Sequence, residues 1–143
     1  METESSRVRQ NYLAILVAAI ACFIFEATWY SFFLNTWLQG IGRSQQWLHS
    51  SGMNLGVQCA VAMIAEAVIA TAISCVTQLT GPQTMLRGIK AAAMLWLGFI
   101  ATSLAVGYVF EVRPIQSYAV DAGFWLIGFV LMGAIVGSWK KKS

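Results

Sequence analysis

Four long apolar stretches with few charges constrain this chain more than any other feature. They occupy about residues 11–38, 55–79, 84–110 and 115–139. A helix needs about 20 apolar residues to cross roughly 30 Å of hydrocarbon, and each stretch exceeds that length. Charged residues make up 10% of the chain, against about 25% in soluble domains. The sequence therefore predicts an all-α membrane protein, a bundle of four transmembrane helices that forms one integral membrane domain over residues 1–143, with an outer loop at 39–54.

The distribution of cations predicts how the bundle is oriented. With four spans, one side of the membrane receives Arg7, Arg9, Arg87, Lys90, Lys140, Lys141 and Lys142. The other side receives only Arg43 and Arg113. Because Lys and Arg in short loops concentrate on the cytoplasmic side, we expect both termini in the cytoplasm and the protein in the bacterial inner membrane. The net charge of +3 then indicates contact with membrane lipid and no nucleic-acid partner.

Residue types that serve catalysis or metal binding are few and scattered. Cys22, Cys59 and Cys75 form no C-x-x-C pair, and His49 is the only histidine. Three carboxylates without histidine would be an unusual transition-metal site, and the chain contains no H-E-x-x-H or G-x-S-x-G motif. We expect no catalytic residue, no metal and no cofactor, and a protein that is not an enzyme.

Three acids, Glu26, Glu66 and Asp121, lie within the apolar stretches. At 1.5 Å per residue, Glu26 and Glu66 lie about 15 and 16 Å from the outer helix ends, near the bilayer midplane. No Lys or Arg falls at that depth, so we expect both glutamates to be largely protonated at neutral pH unless a cation or a water-filled cavity compensates. Asp121 is about one turn nearer the outside and level with Tyr30, which predicts a Tyr30–Asp121 hydrogen bond.

These acids support two functional hypotheses. In the first, Glu26, Glu66 and Asp121 line an outward-opening cavity that binds a proton or a small cation for transport. An organic cation would be held there by aromatic rings, for which the candidates are Trp29, Tyr30, Trp96 and Trp125. In the second, the protein is a structural or accessory membrane subunit whose acids and glycines serve helix packing.

Glycines in the fourth stretch predict a close helix–helix contact. Gly133 and Gly137 form a G-x-x-x-G pair, and Gly128 shares a helix face with Asp121. The partner helix lies either in the same bundle or in another subunit. Because four helices enclose little interior, transport would require a homo-oligomer.

Two segments resemble a known family. The first is Trp29-Tyr30-Ser31, followed by an aromatic and aliphatic run to Trp37 and by Gly40 to Gly42. The second combines Asp121-Ala122-Gly123-Phe124 with Leu131-Met132-Gly133-Ala134. Both are similar to signatures of the bacterial domain-of-unknown-function family numbered 1761, which commonly has W-Y-S-P where this chain has Phe32. The resemblance implies a small four-helix bacterial membrane protein and no established activity.

Overall fold

The chain folds into α-helices, and the prediction of an all-α membrane protein is confirmed. The computed structural model describes residues 8–140, and this part of the chain contains no strand. Its helices are α1 (Tyr12–Phe32), α2 (Leu34–Gly40), α3 (Gln45–Ser50), α4 (Leu55–Leu79), α5 (Met85–Leu95), α6 (Thr102–Phe110) and α7 (Ile115–Ser138). A π-helical turn, Trp96–Ala101, joins α5 to α6 without a break. Four helices are long and apolar enough to cross a membrane: α1, α4, the continuous helix Met85–Phe110, and α7.

Polar side chains define where three of the four spans begin. The side chains of Asn11, Asn54 and Thr84 accept hydrogen bonds from backbone N–H groups in the first turns of α1, α4 and α5. These N–H groups have no partner within their own helix, so a side-chain cap satisfies them and fixes the first turn.

The first span differs from the sequence prediction of a helix over 11–38. It ends at Phe32, and Phe33 leaves the helical region with φ −101° and ψ 18° before α2 begins. This break follows the position where the resembling family has proline, although the chain has none there. The contacts of α2 with the start of α7 explain the break, because the buried Ser117 hydroxyl donates to the Thr36 carbonyl at 3.0 Å.

The described ends of the chain meet at one end of the bundle, which we call the terminal end. There the Arg9 amide donates to the Gln78 side chain at 2.9 Å, and the Asn11 side chain donates to the Trp139 carbonyl at 3.3 Å. The opposite end, with α2, α3 and the turn 111–114, is called the loop end. Three of the cations used to predict orientation, Arg7, Lys141 and Lys142, lie outside the described residues.

The fourth span, α7, is the centre of the bundle. It packs against α1, α4 and α5, and it contributes Phe124, Phe129, Met132 and Val136 to the buried core. A side chain on α7 is therefore within reach of every other span, which makes α7 the element that positions the polar groups described next.

Candidate functional site

Asp121 on α7 is surrounded by donors from three other parts of the chain. The Tyr30 hydroxyl donates to Oδ1 at 2.8 Å, which confirms the predicted hydrogen bond. The Tyr108 hydroxyl of α6 donates to Oδ2, and Nη2 of Arg113 lies 3.7 Å from the same oxygen. The guanidinium of Arg113 also lies over the Tyr108 ring, 3.9 Å from its centroid. Each carboxylate oxygen thus has a partner within the chain, and its charge has a counter-ion.

Backbone geometry explains why Arg113 reaches Asp121. After α6, the Arg113 amide donates to the Tyr108 carbonyl at 3.0 Å and the Val112 amide donates to the Val109 carbonyl at 3.3 Å. This pair of bonds is a Schellman motif, whose left-handed position favours glycine. Here that position is Val112, with φ 53°, which is strained for a β-branched residue. The turn directs Arg113 back over the bundle, where its Nε donates to the Gly40 carbonyl at 2.9 Å.

Two of the predicted aromatic residues bind the backbone of α7 on either side of Asp121. The Trp29 indole donates to the Val120 carbonyl at 3.1 Å, and the Trp96 indole donates to the Ala122 carbonyl at 3.0 Å. Both indole N–H groups are therefore used to attach neighbouring helices to α7. This arrangement fixes the position of Asp121 between them.

Glu66 on α4 has the opposite environment. Only 1% of its surface is exposed, and neither carboxyl oxygen forms a hydrogen bond with a described residue. The Cys22 thiol of α1 lies beside this carboxyl and is a weak donor, but its contact falls outside normal hydrogen-bond geometry. The Glu26 carboxyl of α1 lies within electrostatic reach of Glu66. Buried polar groups almost always have partners, so an unpartnered carboxyl in the centre of a membrane bundle requires an explanation.

Glu26 is half-buried and opens onto a groove of about 260 Å³, which we call the aromatic groove. Its lining consists of Glu26, Tyr30, Leu34, Trp37, Phe124 and Trp125. The rings form a connected set, with centroid distances of 5.4 Å from Tyr30 to Phe124 and 4.8 Å from Phe124 to Trp125. One carboxyl group among four aromatic rings is an arrangement that suits a cation.

The structure separates the predicted site residues into two groups. Glu26 and Glu66 lie near each other, and Tyr30 and Trp125 line the aromatic groove beside Glu26. Asp121 lies apart from the groove lining, although Tyr30 contacts both. Trp29 and Trp96 bind α7 and are not among the groove's lining residues.

Sequence reasoning missed Tyr108 and Arg113 as partners of Asp121. The sequence identifies Arg113 only as one of two cations on the outer side, and it does not single out Tyr108. One signal was present: Arg113 precedes Asp121 by about two helical turns, at the same end of the fourth span. A long basic side chain at that position can reach the acid.

The glycines of α7 contact helices of the same chain. A Cβ on Gly88 of α5 would overlap the Gly133 carbonyl, and a Cβ on Gly137 would lie 2.5 Å from the Thr84 carbonyl oxygen. A Cβ on Gly128 would lie 3.0 Å from the Cys22 sulfur. The sequence left open whether the helix that packs on these glycines lies in the same bundle or in another subunit. In the structure it lies in the same bundle. The homo-oligomer stays a prediction.

No cluster typical of a metal site is present in the described part of the chain. Residues 8–140 bring together no group of three or more His, Cys, Asp or Glu side chains that could hold a metal ion. His49 lies in the last turn of the short helix α3.

Comparison with known proteins identifies the family. The family described as "Protein of unknown function (DUF1761)" matches residues 13–137. The chain belongs to it. Membership in DUF1761 confirms the resemblance seen in the two sequence signatures, and the match covers all four spans. No curated protein and no solved structure matches the chain.

Proposed function

We propose that this membrane protein is a carrier, not an enzyme, that binds a proton at Glu66 and a small organic cation at Glu26. The observation that supports this proposal is the buried carboxyl of Glu66, with no hydrogen-bond partner among the described residues. An unpartnered polar group of this kind destabilises the fold, and ionisable residues inside membrane spans are by default functional candidates.

The aromatic groove supports the organic cation as the second ligand. Its volume of about 260 Å³ and its lining of four rings beside one carboxyl suit a small, partly apolar monocation. Aromatic faces attract cations by about 0.5–2 kcal/mol each, and more strongly where water is excluded. The Glu26 carboxylate would supply the counter-charge.

The proximity of the two glutamates supports coupling between the ligands. Two carboxylates in each other's field do not both ionise readily. A cation beside Glu26 stabilises the charge on Glu26, while Glu66 remains neutral by keeping its proton. Without the cation, each glutamate carries a proton, so the pair holds two protons and no charge. Cation binding therefore releases a proton from the pair, which is the exchange that a proton-coupled carrier needs.

The second hypothesis, a packing role, is supported for other residues of the same chain. Asp121 is fully partnered, and Gly128, Gly133 and Gly137 contact helices of the same bundle. We therefore propose that Asp121 and the glycines support the bundle while the two glutamates bind ligands. Both termini in the cytoplasm, the bacterial inner membrane and a homo-oligomer belong to the same proposal.

Proton release on cation binding tests this function. Benzyltrimethylammonium, a small monocation with one apolar ring, is added to the purified protein in weakly buffered detergent, and released protons are followed with a pH-sensitive dye. We expect up to about one proton per chain for the wild type, because one carboxyl ionises. Glu26→Gln should abolish both binding and release, whereas Glu66→Gln, which mimics the protonated acid, should preserve both.

Glu111→Gln is the matched control, because it removes a carboxyl from a solvent-exposed turn at the loop end. It should behave as the wild type does. If Glu26→Gln binds the cation and releases protons as the wild type does, or if Glu66→Gln abolishes both, the carrier proposal is wrong and packing remains the role of these acids.

A further inference from the structure

A second groove lies between α4 and the third span, at the terminal end of the bundle. It has a volume of about 480 Å³ and is lined by Val76, Thr80, Arg87, Lys90, Ala91, Met94, Leu95 and Phe99. Met94 and Phe99 are 74% and 66% exposed. In a helix that spans a bilayer, such exposed apolar side chains face the acyl chains of lipid.

Two cations occupy one end of this α4–α5 groove. Arg87 lies in the first turn of α5 and Lys90 one turn later. Nη1 of Arg87 donates to the Thr80 carbonyl at 2.6 Å, which holds the guanidinium at the groove. A guanidinium has five N–H donors, so this bond leaves capacity for an anion. None of the described residues that line the groove is acidic.

The length of the groove matches one lipid leaflet. At about 1.5 Å per residue, the helix rises about 18 Å from Arg87 to Phe99. Half of a hydrocarbon core of about 30 Å is about 15 Å. A lipid whose phosphate lies at Arg87 and Lys90 can therefore lay an acyl chain along the apolar part of the groove.

We propose that the α4–α5 groove binds one anionic phospholipid, with Arg87 and Lys90 contacting its phosphate and Met94, Leu95 and Phe99 contacting an acyl chain. Basic pockets between membrane helices select anionic headgroups because each Lys or Arg near the surface adds a favourable charge interaction. A zwitterionic lipid carries a cationic group beside its phosphate, which would lie close to the two basic side chains. The groove should therefore prefer phosphatidylglycerol to phosphatidylcholine.

Lipid binding is tested on the purified full-length protein in a neutral detergent. Phosphatidylglycerol or phosphatidylcholine with the same acyl chains is titrated, and binding is measured by native mass spectrometry and by the rise in Tm. We expect one tightly bound phosphatidylglycerol per chain and weaker phosphatidylcholine. The double variant Arg87→Ala/Lys90→Ala should weaken phosphatidylglycerol binding about tenfold or more, because it removes two charge interactions.

Single substitutions keep the test decisive if the double variant folds poorly. Lys90→Ala should weaken binding several-fold, whereas Lys140→Ala removes an exposed lysine from the same end but outside the groove and should bind as the wild type does. Equal effects of these two substitutions, or equal binding of both lipids, would overturn the proposal. If sn-glycerol 3-phosphate alone raises Tm as much as the lipid does, the site is one for free phosphate and the lipid proposal is wrong.

Discussion

Asp121 and Glu66 are both carboxylic acids inside membrane spans, yet their surroundings are opposite. Asp121 accepts hydrogen bonds from Tyr30 and Tyr108, and Arg113 lies 3.7 Å away as its counter-ion. Glu66 is more deeply buried and has no hydrogen-bond partner in the described part of the chain. The comparison teaches that depth alone does not define a functional acid. A partnered acid stabilises the bundle, whereas an unpartnered one destabilises it and needs another reason to be there.

The largest effect is expected from Asp121→Asn. This change removes the less exposed of two carboxylates beside Arg113, which is itself only 21% exposed; the other, Glu111, lies 3.5 Å away and is 62% exposed. Without the Asp121 charge, the guanidinium keeps only the exposed Glu111 as a counter-ion, and the Tyr30 and Tyr108 hydroxyls lose a charged acceptor. We expect the free energy of unfolding, measured by steric trapping in bicelles, to fall by about 2–3 kcal/mol. A loss below about 0.5 kcal/mol would mean that the cluster does not support the bundle.

Glu66→Met should have an effect of the opposite sign. Methionine is flexible and apolar, so it can occupy the same space without an unsatisfied polar group. We expect the free energy of unfolding to rise by about 1–2 kcal/mol. Glu66→Gln is the control, because an amide in the same place still lacks a partner and should give no gain. Destabilisation by Glu66→Met would show that Glu66 does have a structural partner, and the contrast with Asp121 would disappear.

Val112→Gly tests the turn that positions Arg113 for Asp121. Glycine adopts a positive φ without strain, and Val112 is 89% exposed, so little burial is lost. We expect a gain of about 1 kcal/mol in the free energy of unfolding. The matched control is Val109→Gly in α6, at an exposed helical position, where the same substitution should lower the free energy of unfolding by about 0.4 kcal/mol. If Val112→Gly and Val109→Gly lower the free energy of unfolding by similar amounts, the backbone at Val112 is not strained.

The smallest effect is expected from Tyr108→Phe, which removes one donor to Asp121 and keeps the ring under Arg113. We expect a loss of about 1 kcal/mol in the free energy of unfolding, above the average of about 0.6 kcal/mol for hydrogen bonds between membrane helices, because the acceptor is charged. Tyr118→Phe removes a 3.0 Å bond to the neutral Ala101 carbonyl and should cost about 0.6 kcal/mol. If Tyr118→Phe lowers the free energy of unfolding more than Tyr108→Phe does, the charge of Asp121 does not strengthen its hydrogen bond from Tyr108, and the contrast with Glu66 is weaker than proposed.

Sequence reasoning predicted the parts of this structure that depend on depth. Hydropathy located the four spans, and counting residues from the helix ends placed Tyr30 level with Asp121, where the hydrogen bond is found. Counting also predicts that Glu26 and Glu66 lie at similar depth, and the Glu26 carboxyl is within electrostatic reach of Glu66. These inferences work because a straight helix converts residue number directly into distance along the bilayer normal.

Other features depend on how each helix is rotated about its own axis and on how the chain turns between helices. Counting residues gives neither. The partner of Gly133 could be in the same bundle or in another subunit until the orientation of α5 was known. The indole bonds of Trp29 and Trp96 to backbone carbonyls leave no trace in the sequence pattern, since a carbonyl belongs to every residue. Arg113 was missed because its direction is set by the left-handed residue before it, and valine gives no sign of such a conformation.

The π-helical turn Trp96–Ala101 allows the third span to contact α7 through two different faces. Ala92 lies against Gly133 near the terminal end, while Tyr108 reaches Asp121 near the loop end. In an uninterrupted α-helix these two positions would differ in angular phase by about 160°, so one of them would point away from α7. The additional residue in a π turn reduces the difference to about 60°. One inserted residue thus places Ala92, which packs against Gly133, and Tyr108, which binds Asp121, on nearly the same face of the third span.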